Sequence, residues 1–239
     1  DDVRIYDRAL SADEITALYN LEKPKTDLNK GLVAYYPFNG NAKDESTYSH
    51  DGNVKGASLT TDRHGKDRSA YSFNGVDDYI EVIETEQNAN FNYSSPLSFS
   101  AWINPSRMES GSIYRNDNDF NFLMIRGVLW AEIYEGNTHK QLRCSNQLAP
   151  NQWHHLSATW DGVEWKIFVG GVLTKSGATD WPPLESIAQW PTRIGKSPQH
   201  GQAFQGKIDD VRIYNRALST DEITALYDLE KPSSETADL

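Results

Sequence analysis

A near-verbatim internal repeat constrains how this chain can be partitioned. Residues 1–24, DDVRIYDRALSADEITALYNLEKP, recur at 209–232 as DDVRIYNRALSTDEITALYDLEKP, and only three pairs differ: Asp7/Asn215, Ala12/Thr220 and Asn20/Asp228. The two copies lie 208 residues apart, far more than the length of the repeated segment, which excludes a solenoid of short units. The spacing is that of a tandem array. It predicts the strand and helix ending a preceding repeat at 1–22, a linker at 23–30, a complete module at 31–229, and a linker to the next module at 230–239. Residues 1–20 are then expected to make a strand-swapped contact with a second molecule or to pack as an ordered appendage.

Each copy reads as a strand followed by a helix. In Asp210-Val211-Arg212-Ile213-Tyr214 the apolar Val211 and Ile213 alternate with polar or amphipathic neighbours, the period of a strand with one buried face. In Ser219-Thr220-Asp221-Glu222, Ser219 can cap the third helical amide while Glu222 reaches back to the cap amide. Ile223, Leu226 and Tyr227 share one face of the helix. So short a helix is marginal alone and must lie with that face against the rest of the fold.

Between the copies the chain is punctuated like an all-β domain. Seven Trp and twelve Tyr against two Met suit strands joined by turns. Leu32 to Phe38 reads as an opening strand. Tyr71–Phe73 and Tyr79–Val82 flank Asn74-Gly75 as a hairpin or a kinked strand pair. Ser98–Ile103 alternates and stops at Asn104-Pro105. Phe120–Ile125 and Val128–Tyr134 pair around Arg126-Gly127, and Trp153–Trp160 pairs with Trp165–Val169 around Asp161-Gly162. The three prolines of 180–191 make that stretch a long loop. Many short strands with regular turn signals indicate a β-sandwich or barrel.

Charge and cysteine content exclude several functions. Lys and Arg number 23 against 34 Asp and Glu, a net charge of −11, with no basic run to meet phosphate, so neither nucleic acid nor an anionic membrane is an expected partner. No apolar run is long enough to span a bilayer, so membrane insertion is not expected. The lone Cys144 rules out an internal disulfide and a cysteine-built zinc site. His154 and His155 are adjacent in a strand and point to opposite faces, so they cannot chelate one metal together.

Five segments, GLVAYYPFNGNAKDES, SFNGVDDYIEV, SFSAWINP, NQWHHLSATWDGVEWKIFVGGVL and FQGKIDDVRIYNRALSTDEITALY, resemble in order the laminin-G-like domains of the concanavalin A-like superfamily. The resemblance covers nearly all of 31–229. It implies an antiparallel two-sheet jelly-roll β-sandwich with a short C-terminal helix, within a bacterial extracellular or cell-surface protein that repeats the module. It also implies a structural calcium ion near the meeting of first and last strands, with Asp44 and Asp209 as matching ligands and Asp78 as a weaker one; such a site needs hard oxygen donors from distant parts of the chain. Glucanases of the superfamily place acid and nucleophile on one strand as ExDxxE. That pattern is absent, and Glu132 and Glu135 fall on opposite faces of a regular strand.

The expected role is therefore non-catalytic binding of a polysaccharide or glycoprotein, as an adhesion module. Trp130, Glu132 and Tyr134 share one strand face, Trp181 and Trp190 sit in the proline-stiffened loop, and Tyr114, Arg115 and Asn116 form a candidate rim. Aromatic faces stack on sugar rings while polar groups meet hydroxyls, and repetition of a weak module raises avidity. For Trp130 and Trp190 the alternative is packing between the sheets. For the chain it is a structural spacer, with glycoside hydrolase or polysaccharide lyase activity a more remote expectation.

Overall fold

The computed structural model describes residues 3–22, 26–82, 96–116, 120–135, 138–178, 191–198 and 201–233. Helix α1 (Ala12–Glu22) is followed by β1 (Leu32–Tyr36), β2 (Gly52–Lys55), β3 (Ser58–Thr60), β4 (Ala70–Asn74), β5 (Tyr79–Val82), β6 (Leu97–Pro105), β7 (Gly111–Asn116) and β8 (Phe120–Ile125). Then come β9 (Val128–Glu135), β10 (Thr138–Gln147), β11 (His154–Trp160), β12 (Glu164–Val169), β13 (Val172–Ala178), β14 (Thr192–Ile194), β15 (Gln205–Tyr214) and α2 (Thr220–Glu230). The strands form two antiparallel sheets. The eight-stranded sheet runs β13-β12-β11-β6-β15-β4-β3, with β1 also on β15, and the seven-stranded sheet runs β10-β9-β8-β7-β14-β5-β2. This is an all-β jelly-roll sandwich with a short C-terminal helix.

Strand alternation builds the core between the sheets. On β6, Leu97, Phe99, Ala101 and Ile103 turn inward, while Ser98, Ser100 and Trp102 turn to the outer face. The Phe99 ring lies 4.9 Å from Tyr114 and 5.3 Å from Phe122, and Phe120 stacks on Trp165 at 5.2 Å. Trp165 in turn stacks on Trp160, its partner across the β11–β12 hairpin. Outside the eight-stranded sheet, α2 starts at Ser219 with the reciprocal capping box its sequence predicts. Its buried Ile223 packs with Leu218, Tyr214, Phe168 and Leu32, and Tyr227 stacks on Trp102 at 5.8 Å.

Several expectations are corrected. Residues 71–82 are not a hairpin: β4 and β5 belong to different sheets, and the turn held by Asn74 Oδ1, which accepts from the amides of Val76 and Asp77, carries the chain from one sheet to the other. Tyr114 is no rim residue. A bulge between Ser112 and Tyr114 turns both Ile113 and Tyr114 into the core. Glu230, expected at the start of a linker, is buried and ion-paired with Arg212. Residues 3–8 form no strand, although their copy is the end of β15; a strand needs a hydrogen-bonding neighbour, and among the described residues they have none. The polar strand β10, THKQLRCSNQ, shows no apolar alternation beyond Leu142 and Cys144, so pattern reading passes over it.

At Gly206, where β15 runs against β6, φ is +146°, and a Cβ would stand 2.3 Å from the Asn104 carbonyl oxygen and 2.8 Å from Pro105 Cα. Gly206→Ala is expected to cost about 2 kcal/mol or more, because neither backbone can yield without breaking the central pairing. The urea midpoint measures this, and an unchanged midpoint contradicts the close approach.

Candidate functional site

Two polar layers lie on the outer faces of the sandwich, one per sheet. The first is under α2 and contains Asp209. One edge of β15 pairs with β4 over Gln205–Ile208 and with β1 over Val211–Tyr214, so Asp209 and Asp210 fall in the gap between those two neighbours. The register against β6 shifts at this point, and Asp210 takes φ +44°, a bulge geometry that Asp tolerates better than most residues. Arg63 fills the gap. Its Nη1 donates to Asp209 at 2.6 Å, its Nη2 to Asp210 at 2.7 Å and its Nε to the Glu230 carbonyl oxygen at 2.6 Å, with the guanidinium 4.7 Å from the Trp102 ring. Arg212 and the Trp102 indole N–H hold the Glu230 carboxylate, and Tyr35 donates to Asp210.

Burial dominates the titration of this layer. It raises Asp209 to about 8, with the neighbouring Asp210 charge adding to the rise and Arg63 opposing it. It raises Glu230 to about 7, against the pull of Arg212. His155, fully buried and 2.9 Å from Ser100 Oγ, is pushed down to about 3 by burial and by the Arg63 and Arg212 charges, so it is neutral. The pair His154 and His155 points to opposite faces, His154 meeting the Ala149 carbonyl instead.

The three candidate calcium ligands are not brought together. Asp44 Oδ1 accepts from the amides of Tyr35 and Ser46, and Oδ2 from the His50 amide and the Ser46 hydroxyl. Burial works against its charge, but the His50 side chain and the amides of Tyr35, Ser46 and His50 outweigh it and hold the carboxyl at about 2. Asp209 is committed to Arg63, and Asp78 accepts from the Asn74 amide in the turn between β4 and β5. Among the described residues no three His, Cys, Asp or Glu side chains converge as metal ligands. The donor set fits internal hydrogen bonding, and it does not fit a calcium cage.

The second layer is the outer face of the seven-stranded sheet. Register places Trp130 and Glu132 there on β9, Asn121 beside Glu132 on β8, and Arg115 beside Asn121 on β7. The Ser112 hydroxyl donates to Asn121 Oδ1 at 3.1 Å, and Asn121 Nδ2 donates to Glu132 at 3.2 Å. Arg115, Asn121 and Glu132 are buried. Half-buried Trp130 is covered on one side by the exposed Arg143 of β10, 3.8 Å from the ring centroid. With Ile125, Arg126, Val128 and Cys144 this pair lines a shallow groove of about 470 Å³. Trp130 Nε1 and Gln141 Oε1 are buried and have no hydrogen-bond partner among the described residues. Arg143 and Gln141 went unnoticed in the sequence because β10 did; their signal is register against Trp130 and Glu132. Tyr134 shares the β9 parity of Trp130. Trp181 and Trp190 lie outside the described residues, as do the side chains of Tyr134 and Asn116.

A family model described as the concanavalin A-like lectin/glucanases superfamily matches residues 74–224. A search of curated proteins found no match. Among solved structures, the chain is similar to the binding domain of Paraclostridial Mosquitocidal Protein 1, with 18% identity, a TM-score of 0.72, and coverage of 85% of this chain and 53% of that one. It is similar to Domain 4 of AbnA, a GH43 extracellular arabinanase from Geobacillus stearothermophilus, in complex with arabinotriose, with 20% identity, a TM-score of 0.67, and coverage of 82% and 98%. The binding domain of botulinum neurotoxin DC in complex with SialylT gives 14% identity, a TM-score of 0.66, and coverage of 85% and 52%. The chain thus spans about half the length of the toxin binding domains it matches, and at these identities the likeness is one of fold.

Two outcomes follow from the carboxylates. Folded Asp209 and Glu230 keep protons that the unfolded chain releases in its ordinary carboxylate range, so stability falls as pH rises from that range until the folded groups ionise at about 7 to 8. His155, neutral in the fold, destabilises only below about 6.5 and leaves the interval above it untouched. The urea midpoint should be lower at pH 8.5 than at pH 6.5, and Glu230→Gln should flatten the difference. Chelator or millimolar calcium should move the melting temperature by less than about 1 °C, whereas a bound structural ion at saturating concentration shifts it by several degrees.

Proposed function

The chain belongs to the concanavalin A-like lectin/glucanase superfamily, and from that premise we propose that it is a non-catalytic carbohydrate- or glycoprotein-binding module acting outside the cell. The observation that carries this reading is the groove beside Trp130. The indole N–H of Trp130 has no partner among the described residues, and the exposed Arg143 guanidinium lies over its ring. A sugar ring can stack on an aromatic face, and Arg143 can meet a hydroxyl or a carboxylate on an acidic sugar. The volume suits one or two sugar rings. No helix among the described residues is long and apolar enough to cross a membrane.

Glycoside hydrolysis needs two carboxyl groups about 5–9.5 Å apart. Among the described side chains, Glu132 on β9 and Glu81 on β5 share this face four strand spacings, or about 19 Å, apart. Glu81 is also paired with Arg193 at 2.9 Å. The separation supports binding over catalysis. A structural spacer is the second reading, favoured by the same two arginines, since Arg143 lies over Trp130 and Arg193 lies over Tyr79 at 4.2 Å, occupying aromatic faces from within the chain.

A glycan array that includes arabino-oligosaccharides and sialylated glycans tests the choice. Binding should be weak, in the micromolar to millimolar range, and Trp130→Ala and Arg143→Ala should each weaken it about tenfold or more without changing the far-ultraviolet spectrum. Silence across the array supports the spacer. Binding that survives both substitutions moves the site off this face.

A further inference from the structure

The N-terminal copy exposes the residues that its twin buries. Val211, Ile213 and Ile223 are 0%, 4% and 0% exposed, and their counterparts Val3, Ile5 and Ile15 are 85%, 93% and 55% exposed. Tyr214 is buried and Tyr6 is not. Yet the polar scaffold is the same in both. Arg4 pairs with Glu22 at 2.8 Å as Arg212 pairs with Glu230 at 2.7 Å. Arg8 pairs with Glu14 as Arg216 pairs with Glu222. Ser11 and Glu14 form the capping box of Ser219 and Glu222. The free segment thus holds the helical half of the docked shape, stapled by its own ion pairs, with the apolar side uncovered.

The three substitutions between the copies decide what that side fits. Asn215, Thr220 and Asp228 are all exposed in the docked copy, so every residue of the segment that is buried in the fold is identical in the two. A segment serving only as a tether has no reason to retain that pattern. We infer that residues 1–22 are the closing strand and helix of a second jelly-roll body with the same surface as residues 31–208, and that they complete it by the contacts 209–230 make here. That body must present an arginine in the place of Arg63 for Asp1 and Asp2, the sequence counterparts of Asp209 and Asp210. It must present an indole N–H in the place of Trp102 for Glu22, a hydroxyl in the place of Ser98 for the Leu10 amide, and an apolar floor in the place of Leu32 and Phe168 for Leu10 and Ile15. Completion converts residues 3–6 into a strand with neighbours on both sides.

The test places a second copy of residues 31–208 directly ahead of Asp1 in the full chain and compares it with the unextended chain by hydrogen exchange. In the unextended chain residues 3–19 should exchange freely. In the extended chain they should slow by roughly a thousandfold or more, approaching the protection of 211–227, and the unfolding enthalpy should about double. Ile15→Asp with Leu18→Asp should abolish both gains in the extended chain while leaving the transition of the unextended chain in place. The inference is overturned if residues 3–19 stay unprotected in the extended chain, if the added body fails to fold, or if the paired aspartates change nothing. It is also overturned if the unextended chain dimerises in sedimentation through a contact those aspartates remove, since the occupant is then not an open body. These readouts are independent of sugar binding.

Discussion

The fork of Arg63 is the contact on which the rest of the architecture turns. β15 is the central strand of its sheet, and it can have β4 and then β1 on the same edge only if a gap separates them. The bulge at Asp209 and Asp210 makes that gap, and two carboxylates placed side by side in it repel each other unless a cation spans them. A guanidinium does so geometrically, with one nitrogen for each carboxylate and a third for the last carbonyl of α2. The end of the helix is thereby fixed to the middle of the sheet. Removing one partner from such a buried set leaves an uncompensated charge, at a cost of about 3–5 kcal/mol. Raised titration of Asp209 and Glu230 is the other face of the same arrangement: the arginines do not fully offset the burial of these two acids.

What was legible in the sequence is what local chemistry decides. The capping box at Ser219, the Arg126-Gly127 and Asp161-Gly162 hairpins and the stop at Pro105 each follow from one or two residues. Parity read along a strand placed Trp130 and Glu132 on one face correctly, because β9 is regular there. Tyr114 lies beyond the reach of such counting, since a bulge inserts one residue and reverses the faces beyond it, and nothing in Gly111-Ser112-Ile113-Tyr114 announces it. Long-range pairing was equally silent. The Asn74-Gly75 turn looks like a hairpin, but its two strands find partners in different sheets, a choice made by residues far away in sequence. Arg63 carries no motif at all. Its role depends on Asp209, Asp210 and Glu230, about 150 residues on, and on an Asx turn at Asp62 that accepts from the amides of His64 and Lys66.

The two polar layers differ in how their hydrogen-bonding capacity is met. Under α2 the arginines and acids are bonded to one another, and the helix covers them, with Tyr227 over Trp102 and His155. On the other sheet the polar row Ser112, Asn121 and Glu132 is also internally bonded and buried, which stiffens β7, β8 and β9 and fixes the position of Trp130 at its margin. Past that row stand the half-buried Trp130, its indole N–H without a partner among the described residues, and the exposed Arg143. An aromatic platform held rigidly and a cation free to change rotamer is a combination suited to weak, adaptable recognition of a polar ring. A surface of this kind gains strength through repetition rather than through tighter contacts. That gain requires each module to be closed and stable by itself, and the closing strand and helix with their arginine clamp supply that condition.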